Sequence, residues 1–352
     1  MPAFLYADAL GNQADRIRAQ LRQWGYESQI YTQIRDRRWA DPGLDVSQYR
    51  SRPDQLVIFH YSIGSALTAQ VLRLTDRVVP YYHNVTPPEF LRGYNPELAR
   101  LLDQGQRELE LFAVAPYALA ASEFNRQVML ARGFTCVDVL PYFVTFEALR
   151  ASAESPIGQA GADRLASNRV NVLFVGRLVP NKRQDDLIRT MRYYQRLIDH
   201  DAHLLLVGGD ANAPGYRLEL QTLSDVLGVQ NVELAGSIGV REGLGGYYRA
   251  ATVFVCLSEH EGFCVPLLEA MAFDVPVIAF KSTGVPYALG EAGLKLDSKQ
   301  CDVVGEAIEL VHTNLGLRNQ LVVAQRQRLT DFSLERLVGQ LQTCVKLMSS
   351  NL

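Results

Sequence analysis

Short apolar runs rich in β-branched residues recur along the chain, and each is followed by a longer stretch whose apolar positions return every three to four residues. The first pattern is that of a strand covered on both faces, the second that of an amphipathic helix. AFLYA precedes a helical pattern over Asn12–Gly25, QLVIFHY one over Gly64–Leu74, and VVPYYHN one over Pro96–Ala115. YALAAS leads into Glu123–Arg132, and CVDVLPYFV closes the series. Residues 150–169, RASAESPIGQAGADRLASNR, interrupt the alternation. They are rich in Ala, Ser and Gly and read as a connection between domains. The alternation then restarts. VNVLFVG leads to Gln184–Ile198, HLLLVGG to Tyr216–Leu227, NVELAGS to Glu242–Ala250, and TVFVCLS to a helix from Pro266. VPVIAF and GLKL follow, and the tail from Cys301 reads as two or three helices.

Strand–helix alternation predicts parallel sheets wrapped by helices, hence an α/β fold of two doubly wound domains facing across a cleft. The boundaries expected are 1–150, a linker at 151–169, 170–330, and a C-terminal helix at 331–352 that packs back on the N-terminal domain. A length of 352 residues fits two domains.

No apolar run approaches the ~18 residues of a transmembrane helix. The start, MPAFLYADALGNQADR, has no basic stretch ahead of an apolar one, so no signal peptide is expected. The five cysteines form no C-x-x-C pair, which predicts reduced thiols in a cytoplasmic chain. A net charge of −3 excludes a generally basic, nucleic-acid-type surface. Locally, residues 16–52 hold eight arginines, whereas the first lysine of the chain is Lys182. That flank is either a solvated face or one turned toward a phosphate-bearing acceptor or anionic lipid.

Candidate chemistry gathers at strand ends. FVGRLVPNK supplies Gly176, Arg177 and Lys182; LLLVGGD ends in Gly208, Gly209 and Asp210; ELAGSIG ends in Gly236; IAFKSTG ends in Lys281 and Gly284. Glycine lets a ligand approach the backbone, and two fixed cations suit a diphosphate. The stretch EHEGFCVPLLEA sets Glu261 at a strand end and Glu269 eight residues on, with Pro266 suited to a first helical turn. Free backbone N–H groups at such a turn, with two carboxylates beside them, could grip a polyol. No G-x-G-x-x-G follows a strand and no P-loop occurs. The D-x-D at Asp199–Asp201 falls at the start of a strand, on the opposite edge, and reads as a solvated turn. In the first half, polar strand ends occur at Asp8–Asn12, His60–Ser62 and His83–Thr86, and two prolines after His83 forbid easy continuation.

These residues resemble the retaining, GT-B-fold glycosyltransferases of family 4 (glycosyl transferases group 1). FVGRLVPNK is similar to the family's phosphate-gripping loop, EGFCVPLLEAMAFDVPVIA to its E-x7-E signature, and LGGYYRAATVFVCLS to the segment leading into it. The resemblance implies a hexose moved from a UDP- or GDP-linked sugar to a glycan or glycolipid acceptor, by front-face attack and without a metal. Its alternatives are a nucleotide-sugar 2-epimerase and a non-catalytic nucleotide-sugar-binding protein. Arg177 and Lys182 would bind the diphosphate, and Glu261 the sugar hydroxyls together with the N–H groups of Gly262, Phe263 and Cys264. Val265 follows in the same turn. Glu269 would bond the ribose, with Gly209, Ser237 and Ile238 near the base. His83 would contact the sugar, Gly11 would lie under the diphosphate, and His60 and Asn84 would lie toward the acceptor. No cofactor, metal or nucleic acid is implied. A cytoplasmic setting with peripheral contact at the inner membrane face is expected. The chain departs from the pattern at Cys264, where Gly or Ser is commoner, at Phe273–Asp274, where Cys-Gly is frequent, and in a sparse first glycine loop.

Overall fold

The computed structural model describes residues 1–6, 8–165 and 169–350. The chain forms two compact units. One comprises Met1–Pro87, Arg100–Phe143 and the chain from Phe332 onward; the other comprises Pro88–Ala99 and Val144–Asp331.

The second unit is built on a six-stranded parallel sheet. In spatial order its strands are Val232–Gly236, His203–Val207, Asn171–Val175, Val253–Cys256, Val277–Phe280 and Leu294–Leu296. The order reverses between Asn171–Val175 and Val253–Cys256, which pair in parallel. In open α/β sheets that reversal opens a crevice at the strand carboxyl ends, the usual ligand position. The central strands read as unbroken apolar runs because helices cover both faces, and Val253, Phe254, Val255 and Cys256 are all fully buried.

The stretch read from composition as a linker is not extended chain. It forms the helices Phe146–Glu154 and Pro156–Leu165, both in the second unit, and only residues 166–168 lie outside the described residues. Its small residues serve close packing. A Cβ on Gly158 would lie 2.0 Å from the Ser152 carbonyl oxygen, and one on Gly246 would lie 2.3 Å from that of Gly158. Ser152 Oγ accepts from the Gly245 N–H at 2.9 Å, tying the first of these helices to Leu244–Ala250.

In the first unit, Leu56–Tyr61, Arg77–Tyr82, Ala118–Ala120 and Val137–Val139 form a four-stranded parallel sheet. Ala3–Phe4 pairs with Ile34–Arg35 and Tyr31–Thr32 with Leu44–Asp45 in two separate ribbons. The last helix, Leu334–Ser350, belongs to this unit. It buries a stripe of Leu337, Leu341, Cys344, Val345 and Met348 at helical spacing, and Arg77 Nη1 donates to the Met348 carbonyl at 2.5 Å. Half of the eight arginines of the flank meet carboxylates of the same unit: Arg18 meets Asp15 and Asp41, Arg22 meets Asp41, Arg38 meets Asp36, and Arg52 meets Asp54.

Candidate functional site

Glu261 lies in the turn between Val253–Cys256 and the helix Val265–Ala272, at the crevice of the second unit. The turn is held by a clasp from the next strand end. Thr283 Oγ1 accepts from the Glu261 N–H at 2.8 Å and donates to the Glu261 carbonyl at 2.9 Å, and the Gly284 N–H donates to that carbonyl at 3.0 Å. A Cβ at Gly284 would stand 2.5 Å from the Gly262 carbonyl oxygen, so only glycine permits this approach. Cys264, just before the helix, takes the left-handed conformation (φ 73°), and Pro266 occupies the first turn. With its backbone fixed on both sides, Glu261 buries its carboxylate against Lys182, whose Nζ lies 2.5 Å from Oε2. Side-chain exposures of 14% for Lys182 and 8% for Glu261 make this a largely desolvated pair.

Lys182 ends a single 3-10 turn, Pro180–Lys182, after the strand Asn171–Val175. The buried Asn181 beside it donates from Nδ2 to the His260 carbonyl at 3.0 Å, and its own carbonyl accepts from the Glu259 N–H at 2.8 Å. These bonds stitch together the two loops flanking the sheet's reversal. A further brace joins Arg183, Asp186, Glu259 and Lys299 through ion pairs. Asn181, Thr283 and this brace escaped the sequence reading. Their members are scattered from 181 to 299, and no periodicity links them.

Glu269, on the helix after the turn, receives a hydrogen bond from the Tyr248 hydroxyl at 2.6 Å. Burial pushes its carboxyl above the ordinary range, and the Tyr248 donor acts in the opposite direction. Burial also raises the Tyr248 hydroxyl well above 10, so it stays a donor. Arg177 is exposed and reaches Asn212 Oδ1 at 3.4 Å, leaving its guanidinium well placed for an anion. The glycine rim also has a packing cause: a Cβ on Gly208 would lie 1.9 Å from the Gly176 carbonyl oxygen. The Gly209 carbonyl accepts from the Leu178 N–H at 2.8 Å. Gly236 has φ 77°, and beyond it Ser237 is exposed and Ile238 half-buried. In the Glu261 turn Phe263 is buried, while Gly262 and Val265 are half-buried. Asp199–Asp201 precedes His203–Val207 at the amino edge, and the Asp201 N–H bonds Asp199 Oδ1 at 3.0 Å, a local turn away from the crevice.

In the first unit, His60 closes toward His83 from the neighbouring strand. His60 Nδ1 and His83 Nε2 are 2.9 Å apart with rings stacked 6° from parallel, and His83 Nδ1 lies 2.9 Å from the Tyr142 hydroxyl. Both ring nitrogens of His83 are therefore engaged within this unit, and a sugar contact through the ring requires one of them to be released. Burial lowers the His60 imidazole to about 3 and that of His83 well below 6.5. Asn84, next along, has φ 84°, and its Oδ1 accepts from the Tyr82 hydroxyl at 3.3 Å. Gly11 sits not in a loop but in the first turn of the helix Ala9–Gln23, where a Cβ would meet the Leu5 carbonyl oxygen at 2.3 Å.

Lys182, Glu261 and Glu269 thus gather beside the crevice at the reversal of a six-stranded parallel sheet. Residues 162–328 match the model of the glycosyl transferases group 1 family. The D-inositol 3-phosphate glycosyltransferase of Corynebacterium jeikeium is 33% identical over 143 residues, 38% of this chain and 34% of that protein. The GDP-mannose-dependent alpha-(1-6)-phosphatidylinositol monomannoside mannosyltransferase of Mycobacterium tuberculosis is 33% identical over 150 residues, 40% of this chain and 37% of that protein. The chain thus matches only about a third of the length of these relatives. The structure resembles sucrose-phosphate synthase from Thermosynechococcus elongatus with a TM-score of 0.72 at 18% identity, covering 96% of this chain and 92% of that one. The fold is GT-B, as the alternation of strands and helices together with the family resemblance led one to expect. Among the described residues no helix is long and apolar enough to cross a membrane.

Proposed function

We propose that the chain is a retaining, metal-independent glycosyltransferase that moves a hexose from a UDP- or GDP-linked sugar to a glycan or glycolipid acceptor. The observation that carries this reading is the Lys182–Glu261 pair, held at 2.5 Å at the sheet's reversal with Glu269 behind it. Breaking a sugar–phosphate bond leaves a diphosphate whose charge must be met. Lys182 and Arg177 supply two cations for it, and removing one such donor typically costs about 3 kcal/mol of transition-state stabilisation. When the diphosphate takes Lys182, Glu261 is freed to accept hydrogen bonds from sugar hydroxyls, and the turn's N–H groups donate to them. Glu269 accepts from the ribose. The leaving phosphate takes the acceptor's proton, so no protein nucleophile is needed.

The mycobacterial relative's name, GDP-mannose-dependent, puts that donor first for trial and UDP-glucose second. A cytoplasmic setting with peripheral contact at the membrane face belongs to the same proposal. The test is turnover of each donor in excess chelator with lipid-linked and free glycan acceptors, reading nucleoside diphosphate release and the anomeric configuration of the product. Transfer with retention, lost about 100-fold or more in Lys182→Ala, supports the reading. Inversion, a requirement for added divalent metal, or epimerisation of the donor alone counts against it.

A further inference from the structure

Two thiols stand against the Lys182–Glu261 pair, and the proposed transfer uses neither. Cys256 ends the strand Val253–Cys256, and Cys264 precedes the helix Val265–Ala272. Cys256 is 0% exposed, Cys264 8% and Glu261 7%. The two sulfurs and a Glu261 carboxylate oxygen lie within 4.8 Å of one another. Two zinc–sulfur bonds of about 2.3 Å at the tetrahedral angle would set the sulfurs about 3.8 Å apart, and a carboxylate bond of about 2.1 Å would set each sulfur about 3.6 Å from the oxygen. The cluster therefore stands within about 1 Å of a ligating arrangement, with a fourth position left over. Thiolates select soft or borderline cations over Mg2+ and Ca2+.

We propose that Cys256, Cys264 and Glu261 form a site for a thiophilic divalent cation of the Zn2+ class, and that its occupation excludes the sugar nucleotide. The exclusion rests on the donor reading of Glu261 given above; the ligand set does not. Binding draws the Glu261 carboxylate away from Lys182 and converts two thiols to thiolates, with two protons released to solvent. A carboxylate bound to the cation no longer accepts from sugar hydroxyls, and a dication beside Lys182 repels it from its place. The ion is an inhibitor here and takes no part in the transfer. Cys264, held just before the helix in the left-handed conformation, supplies the second sulfur.

The probe is Cd2+, titrated into the metal-free full chain carrying Cys136→Ser, which removes an exposed thiol. The thiolate-to-metal ultraviolet band should saturate at one equivalent. It should persist in Cys301→Ser and weaken in affinity by about 100-fold or more in Cys256→Val and in Cys264→Ser, beyond the loss typical of an outer-shell partner. Cys256→Val keeps an apolar group at a fully buried position, and Cys256→Ser is the fallback if it does not fold. Absence of the band at one equivalent, or a band of full strength in the folded Cys256 variant, overturns the site. For exclusion, the donor Kd should rise in step with Cd2+ in the Cys136→Ser chain and stay flat in the Cys256 variant. A cadmium-loaded chain that binds donor with unchanged Kd overturns exclusion alone. A chain that ligates Cd2+ but binds no sugar nucleotide without it overturns exclusion and the donor reading together, with the ligand set intact.

Discussion

Replacing Lys182 by Met tests the buried pair at the centre of the site. Lys182 Nζ and Glu261 Oε2 are 2.5 Å apart, with side-chain exposures of 14% and 8%. Removing the lysine strands a carboxylate that water barely reaches, and breaking a buried pair from one side typically costs about 3–5 kcal/mol. The pair is not fully sealed from water, so the cost falls at the low end, near 3 kcal/mol. For the roughly 200 residues of the second unit that is a drop in Tm of about 6–12 °C. Glu261→Gln leaves a lysine able to turn toward water and should cost less, about 1–2 kcal/mol. The double variant, with neither charge, should lose at least about 1.5 kcal/mol less than the sum of the singles. Urea unfolding of the four proteins at neutral pH reads all terms. Losses that add within about 0.5 kcal/mol would mean that the pair does not exist in solution and that Glu261 is held by something else.

Tyr248→Phe removes the hydroxyl that donates to the Glu269 carboxyl, a group already raised by burial. A raised folded value means the native chain holds that proton longer than the unfolded chain, so stability falls as pH climbs above the ordinary 4.5. The variant should therefore be nearly neutral in acid and destabilised by about 1–3 kcal/mol at neutral pH, as unfolding across that range would register. His60 and His83 give the opposite slope: their folded values lie below 6.5, so the unfolded chain takes protons first and stability is lost as pH falls below that value. The slope should approach about 2.7 kcal/mol per pH unit for two sites and halve in His60→Phe; an unchanged slope in the variant would refute their burial as neutral rings. Gly246→Ala places a methyl 2.3 Å from the Gly158 carbonyl oxygen and should cost about 1–3 kcal/mol in the second unit by overpacking. Gly284→Ala presses on the Glu261 turn and should raise the donor KM with a smaller loss of stability.

The alternation of strands and helices was legible because each buried strand is an apolar run and each helix carries a periodic stripe. The helix over Tyr216–Leu227 is reproduced to the residue. The 150–169 stretch misled because small residues look alike whether they make a flexible tether or a helix face pressed to another backbone. Only the partner, here Gly245 and Gly246, tells the two apart. At the site, Glu261, Glu269 and Lys182 were readable because they lie in contiguous motifs. The Thr283 clasp, the Asn181 stitch and the Lys299 brace were not, since each joins loops that meet only when the sheet has formed. The His60–His83 contact was half legible: both strand ends were marked polar, but the parallel register that stacks the rings is a property of the fold.

The central claim, that the crevice beside Glu261 and Glu269 binds a sugar nucleotide, is tested most directly by calorimetric titration of GDP-mannose, UDP-glucose, ADP-glucose and dTDP-glucose in excess chelator. The titrations would be run on the wild-type chain and on Glu269→Ala. The account predicts that one donor binds selectively and that the binding is lost in the variant, because a ribose hydroxyl has lost its acceptor. No binding by any donor, or binding unchanged in Glu269→Ala, would contradict it and leave the two glutamates as features of a helix start.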